Sequence, residues 1–131
     1  ISPDKQAKAD IMIGMQAAKN LGALDIGQAV IVENGMVLGT ESSAGTDAMI
    51  VSCAKLRNKA QKSGVLVKAK KPQQEEKVDL PSIGVLTIEN LYAAGFAGVA
   101  VEAHSSLLID KNELIKKADE YGLFVVGVKY E

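Results

Sequence analysis

The stretch Ala29-Val30-Ile31-Val32-Glu33-Asn34-Gly35-Met36-Val37-Leu38-Gly39-Thr40-Glu41 decides the architecture. Ala29 to Glu33 is rich in β-branched side chains, which suit a pleated, half-buried surface. Asn34-Gly35 is the dipeptide that accepts positive φ at both central positions of a type I′ turn, and Met36 to Glu41 then returns. The two runs are expected to pair as a hairpin. A hairpin within an otherwise alternating series of strands and helices predicts an antiparallel pair, and so a mixed sheet.

Upstream of the hairpin, Ala7, Ile11, Met15, Ala18 and Gly22 recur at helical spacing, which predicts a helix from about Asp4 to Leu21. Ser2 is the expected N-cap, with Pro3 at the first helical position and Gly22 as the stop. Downstream, Ser42 to Asp47 reads as a loop. A helix from about Asp47 to Lys59 follows, capped by Thr46 or Asp47, with Met49, Cys53, Leu56 and Ala60 as its apolar stripe. Val65 to Ala69 reads as a buried strand, and Lys70 to Lys77 as a polar loop leading to Val78-Asp79-Leu80-Pro81. A helix is expected over Val85 to Ala94, ended by Gly95. Strands are expected over Val99 to Glu102 and Leu107 to Ile109. A last helix opens on the capping-box-like pair Asp110 and Glu113 and ends at Gly122, before a strand over Leu123 to Val128. The sum is one layered α/β domain, with four helices flanking a mixed sheet of about six strands.

Composition narrows the function. The 131 residues carry 15 Lys plus Arg against 16 Asp plus Glu, a formal charge of -1, so nothing general draws the chain to nucleic acid or to an anionic membrane. Three Tyr and two Phe, scattered, make no stacking platform for bases. One Cys and one His exclude an internal disulfide, a cysteine-based zinc site and a histidine cluster. No apolar run reaches membrane-spanning length. No nucleophile elbow, Walker A loop or dinucleotide fingerprint is present. An opening on Ile1 rather than Met is what a domain cut from a longer chain is expected to show.

Polar residues gather at the expected strand ends, where ligands collect in sheets flanked by helices. Glu41 closes one strand. Gly45-Thr46-Asp47 bends into a helix whose first amides suit a phosphate, while an acid there suits a metal or a water. The plainer reading of Asp47 is a helix-start acid stabilised by the dipole. Lys68 interrupts an apolar strand and can aim at a phosphate with its stem packed, whereas Lys70 and Lys71 also read as solvated charge. Asp79 sits before Leu80-Pro81, either as a turn residue or as a catalytic or metal-binding acid. Glu102 ends a strand too apolar to hold an unpaired carboxylate cheaply; it either pairs with Lys68 or serves a site. His104 reads as ordinary polarity, and Cys53 as a packed thiol.

Several blocks carry a resemblance. They are Leu21-Gly22-Ala23-Leu24-Asp25-Ile26-Gly27-Gln28-Ala29-Val30, Gly45-Thr46-Asp47-Ala48-Met49-Ile50, Gly64-Val65-Leu66-Val67-Lys68, Lys71-Pro72, Val78-Asp79-Leu80-Pro81, Gly98-Val99-Ala100-Val101-Glu102-Ala103 and Gly122-Leu123-Phe124-Val125-Val126-Gly127. Together they resemble the C-terminal domain of the LpxI-type UDP-2,3-diacylglucosamine pyrophosphatases over nearly the whole chain. The family's pattern has an acid where this chain has Ala44, an Arg where it has Lys77 and a Gly where it has His104.

The resemblance implies hydrolysis of UDP-2,3-diacylglucosamine to UMP and 2,3-diacylglucosamine 1-phosphate in lipid A synthesis, with Mg2+ or another divalent cation. It implies that residues 1–131 are the second domain of a two-domain protein, with the ligand between the domains. The setting would be the bacterial cytoplasm, with contact at the inner membrane peripheral at most. The site residues implied are Asp79, Asp47 and Glu102 for catalysis, Asp79 and Asp47 for the metal, and Lys68, Lys71, Thr46 and Gly45 for the substrate. The acyl chains need an apolar groove, for which the helix faces around Ile11, Met12 and Met15, or Leu91 and Tyr92, are candidates. A homodimer through surface left bare by a missing domain is a further expectation. Two other readings stay open: a non-catalytic domain that binds a phosphate ligand, and a structural or interaction domain.

Overall fold

Asn34 and Gly35 take φ of 50° and 82°, so the primed turn forms as the sequence predicts. It joins β1 (Ala29–Glu33) to β2 (Met36–Thr40) in antiparallel register, with a bulge opposite the Ile31/Val32 step. The computed structural model describes residues 1–24, 27–57, 61–70, 82–103, 107–108 and 111–129. The expectations attached to Lys71, Lys77, Asp79, Pro81, His104, Asp110, Lys59 and Ala60 lie outside the described residues.

β1 also pairs antiparallel with β3 (Val65–Lys68). β3 then pairs parallel with β5 (Gly98–Glu102), and β5 parallel with β7 (Phe124–Val128). The sheet order is β2-β1-β3-β5-β7, a mixed sheet of five strands. A separate parallel pair joins β4 (Ser82–Ile83) to β6 (Leu107–Leu108). The sequence reading missed β4, because two residues are too few to show a period.

The helices divide between the two faces. α1 (Lys5–Ala23) packs Ala7, Ile11, Met15 and Ala18 against Val30, Val32, Val65, Val67 and Ala100. On the other face, α2 (Thr46–Ala54), α3 (Val85–Ala94) and α4 (Lys111–Tyr121) bury Met49, Ile50, Cys53, Ile88, Leu91 and Leu114 against Ile31, Leu66 and Val99. β1 and β3 are buried along their whole length, which is why they read as continuous apolar runs. No helix among the described residues is long and apolar enough to cross a membrane.

Three local expectations are corrected. The cap of α1 is Asp4, whose carboxylate accepts from the Ala7 amide at 2.8 Å, not Ser2, and Pro3 precedes the helix. An acid at this position accepts the amide more strongly than a hydroxyl would. Gly22 does not stop α1: it is buried within the last turn, and the helix runs on to Ala23. Leu56 is 63% exposed rather than part of the buried stripe, because α2 ends at Ala54 and the spacing no longer applies beyond it.

Asp10 ties α1 to the hairpin. It is 1% exposed and accepts from Gln6 Nε2 at 3.1 Å, the Asn34 amide at 3.0 Å and the Gly35 amide at 2.8 Å. The primed turn leaves these two amides pointing at the helix, and a buried carboxylate is tolerated because they surround it. Asp10→Ala is therefore expected to lower the stability of the fold by about 2–3 kcal/mol, measured as a drop in the urea midpoint. An unchanged midpoint would show that the turn holds without the anchor.

Candidate functional site

β3 ends on Lys68, at the carboxyl edge of the parallel strands. Its side chain lies on the face of α2 and α3, because it pairs in register with Ala29 and Val101, whose side chains belong to that core. Lys68 is only 6% exposed. Burial pushes its pKa below the ordinary value of 10.5, while the charges of Glu41 and Asp47 oppose that shift. The lysine is thus buried within electrostatic reach of two carboxylates.

The loop after β2 places both acids. The Glu41 amide donates to Ala29 O at 2.8 Å, and its carboxylate accepts from the Gln28 amide at 2.9 Å and from the Thr46 hydroxyl. A Cβ on Gly27 would stand 2.8 Å from Glu41 O, so only glycine lets the chain pass this close. At Gly45 the chain turns with φ 96°, a conformation that strains other residues, and enters α2. Gly45 itself is the N-cap, and no side chain caps the helix, which corrects the expected Thr46 or Asp47 cap. Thr46 is instead committed to Glu41. Asp47 lies in the first turn and accepts from the Thr87 hydroxyl of α3 at 3.3 Å. α3 likewise begins at a glycine, Gly84, without a side-chain cap. Uncapped helix starts leave amide donors that suit anions.

Glu102 belongs to a different cluster. It pairs with Lys19 of α1 at 2.6 Å and accepts from the Lys70 amide at 2.9 Å, while Lys19 also donates to Lys70 O at 3.2 Å. Side chains alternate along β5, so Glu102 turns toward α1, away from the face that holds Val101 and Lys68. The sequence alternative of a Glu102–Lys68 pair gives way to Glu102–Lys19. Gly45, Thr46, Asp47 and Lys68 are brought together, with Glu102 at the same sheet edge on the opposite face. Asp79 and Lys71 lie outside the described residues.

The sequence reading did not single out Thr87 or Lys19. A hydroxyl inside the apolar run Val85-Leu86-Thr87-Ile88 was the available signal for the first. Nothing in the sequence marked the second. Of the helix faces offered for acyl chains, Ile11, Met15 and Leu91 are core, while Met12 and Tyr92 are 53% and 50% exposed. A cleft of about 350 Å³, lined by Asp4, Asn34, Lys62 and Gly64 among others, lies at the opposite, amino end of the parallel strands.

The donor chemistry of Asp47 suits a hard cation such as magnesium, which takes one or two carboxylates and keeps several waters. Among the described residues no group of three or more His, Cys, Asp or Glu side chains is placed to hold a metal ion.

Fold and site define an α/β domain whose charged cluster sits beyond the carboxyl ends of its strands, the usual location of a ligand site. The chain belongs to the LpxI C-terminal domain family, which matches residues 1–126. It is 46% identical to the UDP-2,3-diacylglucosamine pyrophosphatase LpxI of Caulobacter vibrioides, over 98% of this chain and 48% of that protein. The chain thus spans about half the length of the curated relative it matches.

The buried lysine makes stability depend on pH. Its pKa is lower in the folded chain than in the unfolded one, so the unfolded chain holds the extra proton between the lowered value and 10.5. Below that window the cost of burying the ammonium is felt in full; stability recovers as pH rises through it. Lys68→Met lacks this titration. The stability difference, wild type minus variant, is expected to climb toward pH 10.5 with a slope of at most about 1.4 kcal/mol per pH unit. Urea titrations at several pH values read this directly, and parallel curves would contradict it.

Proposed function

We propose that this chain is the second domain of a two-domain hydrolase that splits the pyrophosphate bond of UDP-2,3-diacylglucosamine, giving UMP and 2,3-diacylglucosamine 1-phosphate. The observation that carries this reading is Lys68, buried at the carboxyl edge of the sheet within electrostatic reach of Glu41 and Asp47. The printed activity of the Caulobacter relative supports the choice of substrate.

The chemistry needs negative charge offset on both phosphorus centres and a water aligned for attack. Lys68 supplies a fixed positive charge in a poorly hydrated place, where it acts more strongly than in water. Gly45 and Thr46 bring the first amides of α2 to the phosphate. Glu41 holds their loop by bonding the Thr46 hydroxyl and the Gln28 amide. Asp47, held toward Lys68, orients a water or contributes to a cation site. Glu102 keeps the end of β3 fixed through Lys70 and so sets where the chain leaves toward Lys71 and Asp79. Lys71 adds positive charge for the phosphoryl oxygens, and Asp79 is the second acid.

Two carboxylates against one ammonium leave this cluster negative, so an anionic substrate needs more positive charge than these side chains supply. A divalent cation such as magnesium, held by Asp47 and Asp79, would supply it and would acidify water. The N-terminal domain closes the cleft and carries part of the surface for the acyl chains. The setting is the bacterial cytoplasm, with the lipid presented at the inner membrane.

The test is hydrolysis by the full-length protein with magnesium and UDP-2,3-diacylglucosamine, with products identified by mass. UMP and the sugar 1-phosphate are expected, with turnover abolished by a chelator. Asp47→Asn and Asp79→Asn are each expected to lower kcat by about 100-fold or more with the fold intact. Near-normal turnover in either variant removes that acid from the chemistry, and binding without turnover in the wild type favours a phosphate-ligand binder.

A further inference from the structure

Thr87 has no role in packing that a hydrocarbon would not fill. It lies in the first turn of α3 and is 7% exposed, beside Ile88 and Leu91 in the core. Valine has the same branching and nearly the same volume, without a hydroxyl to desolvate. What the hydroxyl adds is its bond to Asp47 Oδ1 at 3.3 Å, across forty positions of sequence.

Asp47 needs such a partner. In the first turn of α2 its side chain has several staggered choices. It does not cap its own helix, whose N-cap is Gly45. The bond that holds it comes from another element. α2 and α3 pack side by side, and Thr87 is the α3 residue whose hydroxyl bonds the acid.

We propose that Thr87 is a positioning residue for the hydrolytic reaction: its hydroxyl selects the Asp47 conformer that bonds α3. The inference rests on the pyrophosphatase reading above, and it adds a residue and an element, α3, to that site. Thr87 acts through Asp47 and not on the substrate.

A double-mutant cycle in the full-length protein tests it, with UMP release measured at saturating magnesium for each variant. Thr87→Val is expected to fold, with a urea midpoint lowered by no more than the loss of one hydrogen bond requires. Its kcat is expected to fall about tenfold, with KM changed by less than about twofold. Thr87→Ser is expected to restore kcat to within about threefold of wild type. Combining Thr87→Val with Asp47→Asn is expected to be no worse than Asp47→Asn alone, since the second change has nothing left to orient. A normal kcat in Thr87→Val, additive losses in the double variant, or a serine variant as slow as the valine one would each overturn the proposal.

If the wild type releases no UMP, the pyrophosphatase reading fails and the positioning claim is judged separately. Side-chain couplings of Asp47 measured by NMR are then expected to show one dominant conformer in the wild type and averaging in Thr87→Val. The same conformer in both would overturn it.

Discussion

A lysine buried at the end of a strand is the constraint around which this edge of the molecule is arranged. Lys68 cannot lose water cheaply, and a lone buried ammonium would give up its proton or unfold its surroundings. Glu41 and Asp47 offset part of that cost from a single loop. The loop is in turn shaped by several local requirements. They include a glycine at 27 that lets the chain pass Glu41, a glycine at 45 with positive φ, and a threonine at 46 bonded back to Glu41. An arrangement that spends stability to keep charge out of water is typical of sites rather than of cores.

The sheet separates this cluster from a second one. On the α1 face, Lys19 pairs with Glu102, and both bond the Lys70 backbone. Consecutive side chains at the ends of β3 and β5 thereby serve opposite purposes. One face anchors the helix and the outgoing chain; the other holds Lys68, Glu41 and Asp47 near α2 and α3, whose starts have no side-chain caps. The buried aliphatic side chains of β1, β3 and β5 stand between them, so the two charge systems are separated by material of low polarizability.

The architecture was legible because its signals are local. The hairpin was written in Asn34-Gly35, α3 in the run between Val85 and Gly95, and the family in blocks spread along the chain. Caps were less legible. Asp4 competes with Ser2 for the same role, and only the geometry of the first turn decides between them. At the site, Asp47 and Lys68 stood out because polar residues interrupted apolar patterns. The partner of Glu102 did not, since strand alternation tells which residues share a face only once the register is known, and Lys19 comes from a helix fifty-one positions before Lys70. Thr87 was hidden for a similar reason: its partner is forty positions away on another helix.

Cys53 gives the same region an internal reporter. Its thiol is 2% exposed, burial pushes its pKa upward, and its sulfur lies so close to Gly39 that a Cβ there would stand 2.5 Å away. A thiolate is the reactive form, and burial against β2 disfavours it in the folded chain. Alkylation is therefore slow while α2 stays packed on β2. The rate of labelling reports local opening near the carboxyl end of α2, a fluctuation that equilibrium melting averages away.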